Sequence, residues 1–447
     1  MRNNTTFQIS DNHSFRNQLL NYSSKFEHFV FLDSCGNDVY GETEFDYLLA
    51  AGNYKSVIKN AGGAFDELQQ FLDKNKEWCF GFLGYDLKNE TEKLFSQNTD
   101  SIGFPDLLFF IPEIIVKVKN GKVILSNLSE SSITLTNEEI FQEICNRTES
   151  VEREFPPIKL IPKINKEDYL KKINKIRQHI IDGDVYELTF CQEFYSENVA
   201  IEPLLVFEEL CKISKAPFSV LFRWENKYLI SASPERFLKR SGNKIISQPI
   251  KGTTKRSIDP TIDAQLKNEL LHSEKDRAEN VMIVDLVRND LARIGKTGTI
   301  KVDELFGIYS FEQVHQMVST ISAIVQNDLS VTDILKNTFP MGSMTGAPKV
   351  MAMELIEQYE TSKRGLFSGA FGYISPDGDF DFNVVIRSII YDALQQYVSV
   401  QVGGAIVFDS VAEKEYEECV VKLSGIVAVL RRNNGGKRHA DDADLAD

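Results

Sequence analysis

Short apolar runs broken by turn-forming residues occupy the start of the chain, and longer helical periods follow. Over the first 128 residues the runs are FVFLD, WCFGFLGYDL and LLFFIPEIIVKVKNGKVILSN, each one strand or one hairpin long. Asn120-Gly121 carries the signature of a two-residue hairpin turn. This portion reads as mostly β. From Ser129 to about Asn165 the sequence turns polar and Glu-rich, and Pro156, Pro157 and Pro162 punctuate it, which predicts a connection rather than a packed element. Beyond it Tyr169, Ile173, Ile176 and Ile180 recur at helical spacing behind a start signal at Asn165, and Gly183 is placed to stop the helix. VYELTFCQEF, SVLFRW, KYLISAS and KIISQPI follow as strands of a second sheet. DAQLKNELLHSEKDRAENVMIVDLVRNDLARI reads as two helices divided near Ser273, and further helices start near Val331, at Pro348 and after Ser410. Strands and helices come in runs, so the predicted class is α+β, with large, mainly antiparallel β-sheets flanked by helices. The predicted organisation is a β-rich amino-terminal region with its linker (1–160), a main domain (161–432) and a polar tail (433–447) with little to bury.

Composition narrows what such a body can do. The 447 residues are 42% hydrophobic and 26% charged, an ordinary globular balance. Lysine and arginine total 50 against 65 acids, a formal net charge of −15, so there is no global basic field for nucleic acid. No run approaches the ~18 apolar residues of a spanning helix, and the first residues lack the apolar stretch of about 7–15 residues that marks a signal peptide. The expectation is a cytoplasmic protein with neither membrane nor nucleic acid as partner. Six cysteines lie at wide intervals with no CxxC pair, and six histidines are dispersed, so neither a zinc site nor a disulfide framework is expected. Any metal then falls to carboxylates.

Two carboxylate pairs stand out. Asp276 and Glu279 sit three apart on one predicted helix, Glu415 and Glu418 three apart on another, so each pair shares a helix face. Four converging acids would repel unless a hard cation joined them, and Mg²⁺ suits such a set. From spacing alone the same acids also read as solvated helix charges. FPMGSMTGAPK supplies a turn, the Thr345 hydroxyl and a helix start, which is either an anion site or an ordinary cap. Gly403 and Gly404 inside a strand pattern mark a bulge or a place where a ligand lies against the backbone. In PIKGTTKR, Lys251 lies between Pro249 and Gly252, and SPERF places Glu235 at the end of a strand. A nucleophilic lysine must be neutral, so burial or a neighbouring cation would have to lower its pKa from about 10.4.

Taken in order, GDVYELTFCQEF, SPERF, PIKGTTKR, HSEKDRAENVMIVDLVRNDL, QVHQMVSTI, FPMGSMTGAPK, FGYISPDG, FNVVIRS, VGGAIV and EKEYEECVVKL resemble the chorismate-utilising enzymes. That family contains anthranilate synthase component I, aminodeoxychorismate synthase component I, isochorismate synthase and salicylate synthase. The resemblance covers about residues 160 to 430 and implies a fold like that of anthranilate synthase component I, with chorismate bound in the main domain. It implies Glu279 and Glu418 as direct Mg²⁺ ligands and Asp276 and Glu415 as outer carboxylates. Arg387 and Tyr373 match residues that hold the substrate carboxylates. Gly252, Thr253, Thr345, Gly403, Gly404 and Lys422 match surrounding substrate contacts, and His315 matches a histidine beside the ring. FLDS and APFS stand where the aminating members form a small pocket between sheets. Asp33 there replaces the glutamate of the feedback-sensitive LLES, which argues against tight tryptophan inhibition. Ala405 departs from a third glycine common in that strand.

Two features choose among the family's reactions. Members that add water carry a lysine base where this chain has Glu187, so isochorismate and salicylate formation are disfavoured. Anthranilate synthases usually read PIAGT where this chain reads PIKGT, and the aminodeoxychorismate synthases have the lysine. The resemblance therefore implies amination of chorismate at carbon 4 to 4-amino-4-deoxychorismate, toward para-aminobenzoate and folate. Lys251 is the implied nucleophile, Glu235 the implied acid, and ammonia is expected from a separate glutamine amidotransferase subunit. Anthranilate synthase component I and a non-catalytic chorismate-binding subunit remain the alternatives.

Overall fold

The computed structural model describes residues 2–38, 40, 43–147 and 155–431, so the polar tail 433–447 lies outside the described residues. Two large sheets form the body. In the first, strands Arg2–Gln8, Lys122–Leu128, Ile114–Lys119, Tyr47–Ala51 and His28–Asp33 lead edge to edge into Phe218–Trp224, Lys227–Ser233, Ser388–Asp392, Tyr397–Ile406 and Glu187–Ser196. The second runs Ile250–Lys255, Val314–Ile324, Lys244–Gln248, Arg236–Ser241, Phe380–Val384, Ala370–Ile374, Cys79–Leu83, Leu107–Ile111 and Lys55–Lys59. The strands pair antiparallel, in line with the α+β expectation. Among the described residues no helix is long and apolar enough to cross a membrane.

The apolar runs explain the layering. In His28–Asp33 successive side chains point to opposite faces: Val30 and Leu32 enter the core between the sheets, while Phe29 and Phe31 enter a second core beneath helices. A strand covered on both faces reads as a continuous apolar run, which is why FVFLD and LLFFI show no alternation. The helix-side core is closed by Lys166–Asp182, Pro203–Ser214 and Ala412–Leu430. Asn165 caps the first of these by accepting the Asp168 N–H at 2.9 Å, and Gly183 ends it at φ +87°.

Three expectations change. The stretch after Ser129 is not only a connection: it holds the helix Asn137–Cys145, fixed by a Thr136–Glu139 capping box, with Ile140 and Ile144 buried. Apart from the buried Asn137, its polar residues face outward, so a short amphipathic helix read as polar linker. The β-rich first third also contains helices Asn12–Ser23 and Ala64–Lys74. The strands assigned to one second sheet are divided, with Glu187–Ser196, Phe218–Trp224 and Lys227–Ser233 in the sheet of the amino-terminal strands while Lys244–Gln248 joins the other sheet. Strands from both sides of residue 160 thus hydrogen-bond within each sheet, as in the Asp33–Ser219 and Tyr373–Phe80 pairs.

Candidate functional site

Lys251 is the hub. It sits on Ile250–Lys255 with its side chain 10% exposed, and its Nζ lies 2.5 Å from Oε1 of Glu187, itself 6% exposed at the start of Glu187–Ser196. Burial works to lower the Lys251 pKa, but Glu187, Glu279 and Glu235 outweigh it and hold the amine above its ordinary value. The lysine is therefore an ammonium in the free protein, contrary to the neutral amine that a nucleophile needs. Glu187 is the base placed to accept its proton.

Glu235 occupies the link between Lys227–Ser233 and Arg236–Ser241, 5% exposed. Burial pushes its carboxyl up to about 7, opposed by the nearby Ser343 hydroxyl and by the Lys251 charge. A carboxyl with that pKa carries a proton to donate near neutral pH.

The carboxylate pairs face the same charges from two helices. Ser273 caps Glu274–Ile294 by accepting the Asp276 N–H at 3.3 Å, and its hydroxyl donates to Asp276 Oδ2 at 2.5 Å, which fixes that carboxylate. Burial raises the Glu279 pKa against Lys251 and Lys275. Burial also raises Glu415, with the Glu418 charge adding to it and Ser410 and Lys275 opposing. Glu418 goes the other way, because Lys422, Lys275 and Lys251 outweigh burial. Lys275 is thus felt by acids on both helices, and its Nζ lies 3.8 Å from Glu279. Among the described residues, no three of these carboxylates bring their oxygens within 4.8 Å of one another. The charge of Lys275 thus offsets part of the repulsion among these acids, and their all-oxygen donor set suits Mg²⁺.

The other expected residues divide. Gly252 has φ +94°, and a Cβ there would lie 3.0 Å from Asp276 Oδ1, so glycine is required for the strand to pass the acid. A Cβ on Gly404 would stand 3.4 Å from the carboxylates of Glu415 and Glu418, whereas one on Gly403 would strike the Phe190 carbonyl at 2.2 Å. Gly404 therefore borders the acids with room for a Cβ, and Gly403 serves strand packing. Lys422 donates to the Gly403 carbonyl at 2.8 Å and to Glu418 at 2.7 Å. Arg387 has φ +52°, its pKa is lowered by burial, and among the described residues its guanidinium makes no hydrogen bond or ion pair. It feels only the charge of Glu418. A desolvated arginine without a partner suits an anionic ligand. Thr253 is exposed on the same strand as Lys251, and the Thr345 hydroxyl donates to the Met341 carbonyl at 3.2 Å.

Two residues stand differently from expectation. Both ring nitrogens of His315 are engaged, Nδ1 with Ser310 Oγ at 2.8 Å and Nε2 with Asp263 Oδ1 at 3.1 Å, and Asp263 is held in turn by Arg256. No nitrogen is left for a ligand. Tyr373 packs among Phe45, Trp78 and Phe80 and lines a separate cavity between the sheets with Leu32, Asp33, Ser219, Arg236 and Asp381. It is not brought to Arg387. That cavity is bordered by the FLDS and APFS segments. The sequence singled out neither Lys275 nor Ser343, and Glu187 only as a difference from water-adding relatives. A signal for Lys275 existed, since it immediately precedes Asp276 and lies one turn from Glu279.

The sequence pattern of the family described as chorismate binding enzyme matches residues 28–428. Aminodeoxychorismate synthase component 1 of Escherichia coli is 34% identical over 384 residues, covering 82% of both chains. Anthranilate synthase component 1 of Thermus thermophilus is 31% identical over 369 residues, covering 80% of this chain and 78% of that one. Among solved structures, anthranilate synthase component I from Streptococcus pneumoniae superposes with a TM-score of 0.77 at 27% identity, covering 85% of this chain and 91% of that one.

Proposed function

The chain belongs to the chorismate-binding enzymes, and from that premise we propose that it aminates chorismate at carbon 4 to give 4-amino-4-deoxychorismate. The observation that carries this reading is the buried Lys251 with Glu235 and Glu187 on either side of its charge. Lys251 passes a proton to Glu187 and its amine adds to carbon 2. The ring double bonds shift, and Glu235 protonates the carbon-4 hydroxyl as it leaves as water. Ammonia then attacks carbon 4 and passes its extra proton to Glu235, the shift reverses, and the lysine is expelled with its electron pair restored and takes its proton back from Glu187. Arg387 binds a substrate carboxylate, which supplies the partner its guanidinium lacks.

Glu279 and Glu418, with Asp276 and Glu415 behind them, would hold Mg²⁺. The ion would supply positive charge to anchor the ring carboxylate among acids that otherwise repel it. The name component 1, borne by the relatives, supports a second subunit, and we assign it the role of a glutamine amidotransferase that delivers ammonia. The similarity to the Thermus anthranilate synthase favours one competing reading, amination at carbon 2 with loss of pyruvate. Mass spectrometry of the products from chorismate, ammonium and Mg²⁺ decides. Aminodeoxychorismate without pyruvate supports the proposal, anthranilate with pyruvate supports the competitor, and unchanged chorismate removes both.

A further inference from the structure

Away from the carboxylate site, the fold gathers two thiols and an acid that are far apart in sequence. Donor atoms of Asp33, Cys35 and Cys211 all lie within 4.8 Å of one another, the only such group of three among the described residues. Asp33 ends the strand His28–Asp33, and Cys35 follows in a turn where it has φ +49° and Gly36 φ +70°. That turn folds the Cys35 sulfur back toward the Ser219 hydroxyl, 3.3 Å away. Cys211 comes from the helix Pro203–Ser214, which leads into the strand carrying Ser219. The pairing of Asp33 with Ser219 fixes the two strands against each other, and the helix precedes the second of them by a short turn.

The geometry points to a binding site for a soft or borderline divalent cation, of the zinc class, held by Cys35, Cys211 and Asp33. Two sulfurs and one carboxylate oxygen form a zinc-like donor set that magnesium and calcium do not prefer. In a tetrahedral site with zinc–sulfur bonds of about 2.3 Å the two sulfurs stand roughly 3.8 Å apart, a spacing that the 4.8 Å limit accommodates. The Ser219 hydroxyl or a water fills the fourth position. Asp33 is oriented as ligating carboxylates commonly are: Arg16 Nε donates to its Oδ2 at 2.5 Å and the Cys35 N–H to its Oδ1 at 2.7 Å.

Charge is conserved on binding. Arg16 already balances Asp33, and the cation's two charges cancel the two thiolates formed as each thiol loses its proton to solvent. Asp33 and Cys211 are buried, so the ion would be screened from water and would tie the turn after Asp33 to the helix. Asp33, Ser34 and Ser219 also line the cavity between the sheets. The cation thereby sets the shape of that cavity's wall, independently of the chemistry at Lys251.

The test uses the full chain, freed of metal under reducing conditions and kept in excess Mg²⁺ so that the carboxylate site does not take up the probe. Titration with Zn²⁺ against a chromophoric chelator is expected to show one tight equivalent, release of about two protons and a higher Tm. Cd²⁺ is expected to give the ultraviolet charge-transfer band of a cadmium thiolate. Cys35→Ser and Cys211→Ser should each lose the tight equivalent and the band while keeping ammonium-dependent turnover. Absence of a tight equivalent, a cadmium complex without the thiolate band, or binding that persists in both variants overturns the proposal. The cadmium band is read on the unaltered chain, so the test stands even if a variant fails to fold.

Discussion

Glu235 ties the proposed mechanism to a measurable pH profile. Burial, opposed by the Ser343 hydroxyl and the Lys251 charge, moves its carboxyl from 4.5 to about 7. The leaving-group step requires the protonated form, whereas the nucleophile is free ammonia, whose share of total ammonium rises about tenfold per pH unit below ~9. Below pH 7 Glu235 stays protonated, so kcat/KM at fixed total ammonium should climb about tenfold per unit. Above 7 the protonated share falls by about the same factor and the trends cancel. Between pH 7 and 9 ammonia rises roughly 60-fold while protonated Glu235 falls roughly 50-fold, leaving a plateau flat to about twofold. Lys251 adds no slope, because its proton stays in the site on Glu187.

The assay is initial rate of aminodeoxychorismate formation at low chorismate, saturating Mg²⁺ and constant total ammonium from pH 5.5 to ~9.5. A glutamate with an ordinary pKa of about 4.3 would place the turning point below pH 5 and leave the whole measured range flat. A continued rise of more than about tenfold between pH 7 and 9 would refute Glu235 as the acid or burial as the cause of its shift. A slope steeper than tenfold per unit below 7 would mean that Lys251 loses its proton to solvent, which removes Glu187 from its assigned role.

Further outcomes are expected. Lys251→Ala should lower turnover by at least about 100-fold, and it also strands Glu187 as an unpaired buried acid at a cost of about 3–5 kcal/mol. Adding Glu187→Gln should restore stability and chorismate affinity without restoring turnover, measured by Tm and product rate; full recovery of turnover would exclude the covalent step. Glu279→Gln and Glu418→Gln should each abolish activity that excess Mg²⁺ restores poorly, whereas Asp276→Asn should cost about 10–100-fold. Equal, small losses in steady-state assays would mark these helix faces as merely solvated. Gly252→Ala should push Asp276 aside and strain a φ of +94°, lowering both activity and Tm; an unchanged variant would contradict the close approach. With glutamine as nitrogen source the purified chain should turn over only after an amidotransferase is added, and unaided glutamine hydrolysis would contradict the two-subunit reading.

The long periodic segments were legible because their signals are local. Asn165, Gly183 and Ser273 act at their own helix ends, and a β-strand buried on both faces shows itself as an unbroken apolar run. Asn137–Cys145 was lost because about two and a half turns of amphipathic helix expose as many polar residues as a linker does. The carboxylate pairs were legible as faces, since three-residue spacing fixes that much. Their meeting was not, because it depends on two helices packed over different sheets.

Side of strand and long-range proximity were the harder losses. Tyr373 matched a motif, yet a period of two places a side chain only once the sheet's layering is known, and Tyr373 points to Phe45 and Trp78 rather than to Arg387. Cys35 and Cys211 show no spacing pattern, and they meet because Asp33 pairs with Ser219 across a sheet that joins the first third of the chain to the rest. That same continuity bears on function. The cavity between the sheets is walled by Asp33 from the first third, by Tyr373 from Ala370–Ile374 and by Arg236 from the strand that follows Glu235. Arg236 follows Glu235 directly, pairs with Asp381 at 2.9 Å and faces that cavity, so the cavity and the acid are framed by the same stretch of chain. The amino-terminal strands are thus part of the frame that positions the chemistry rather than an appendage to it.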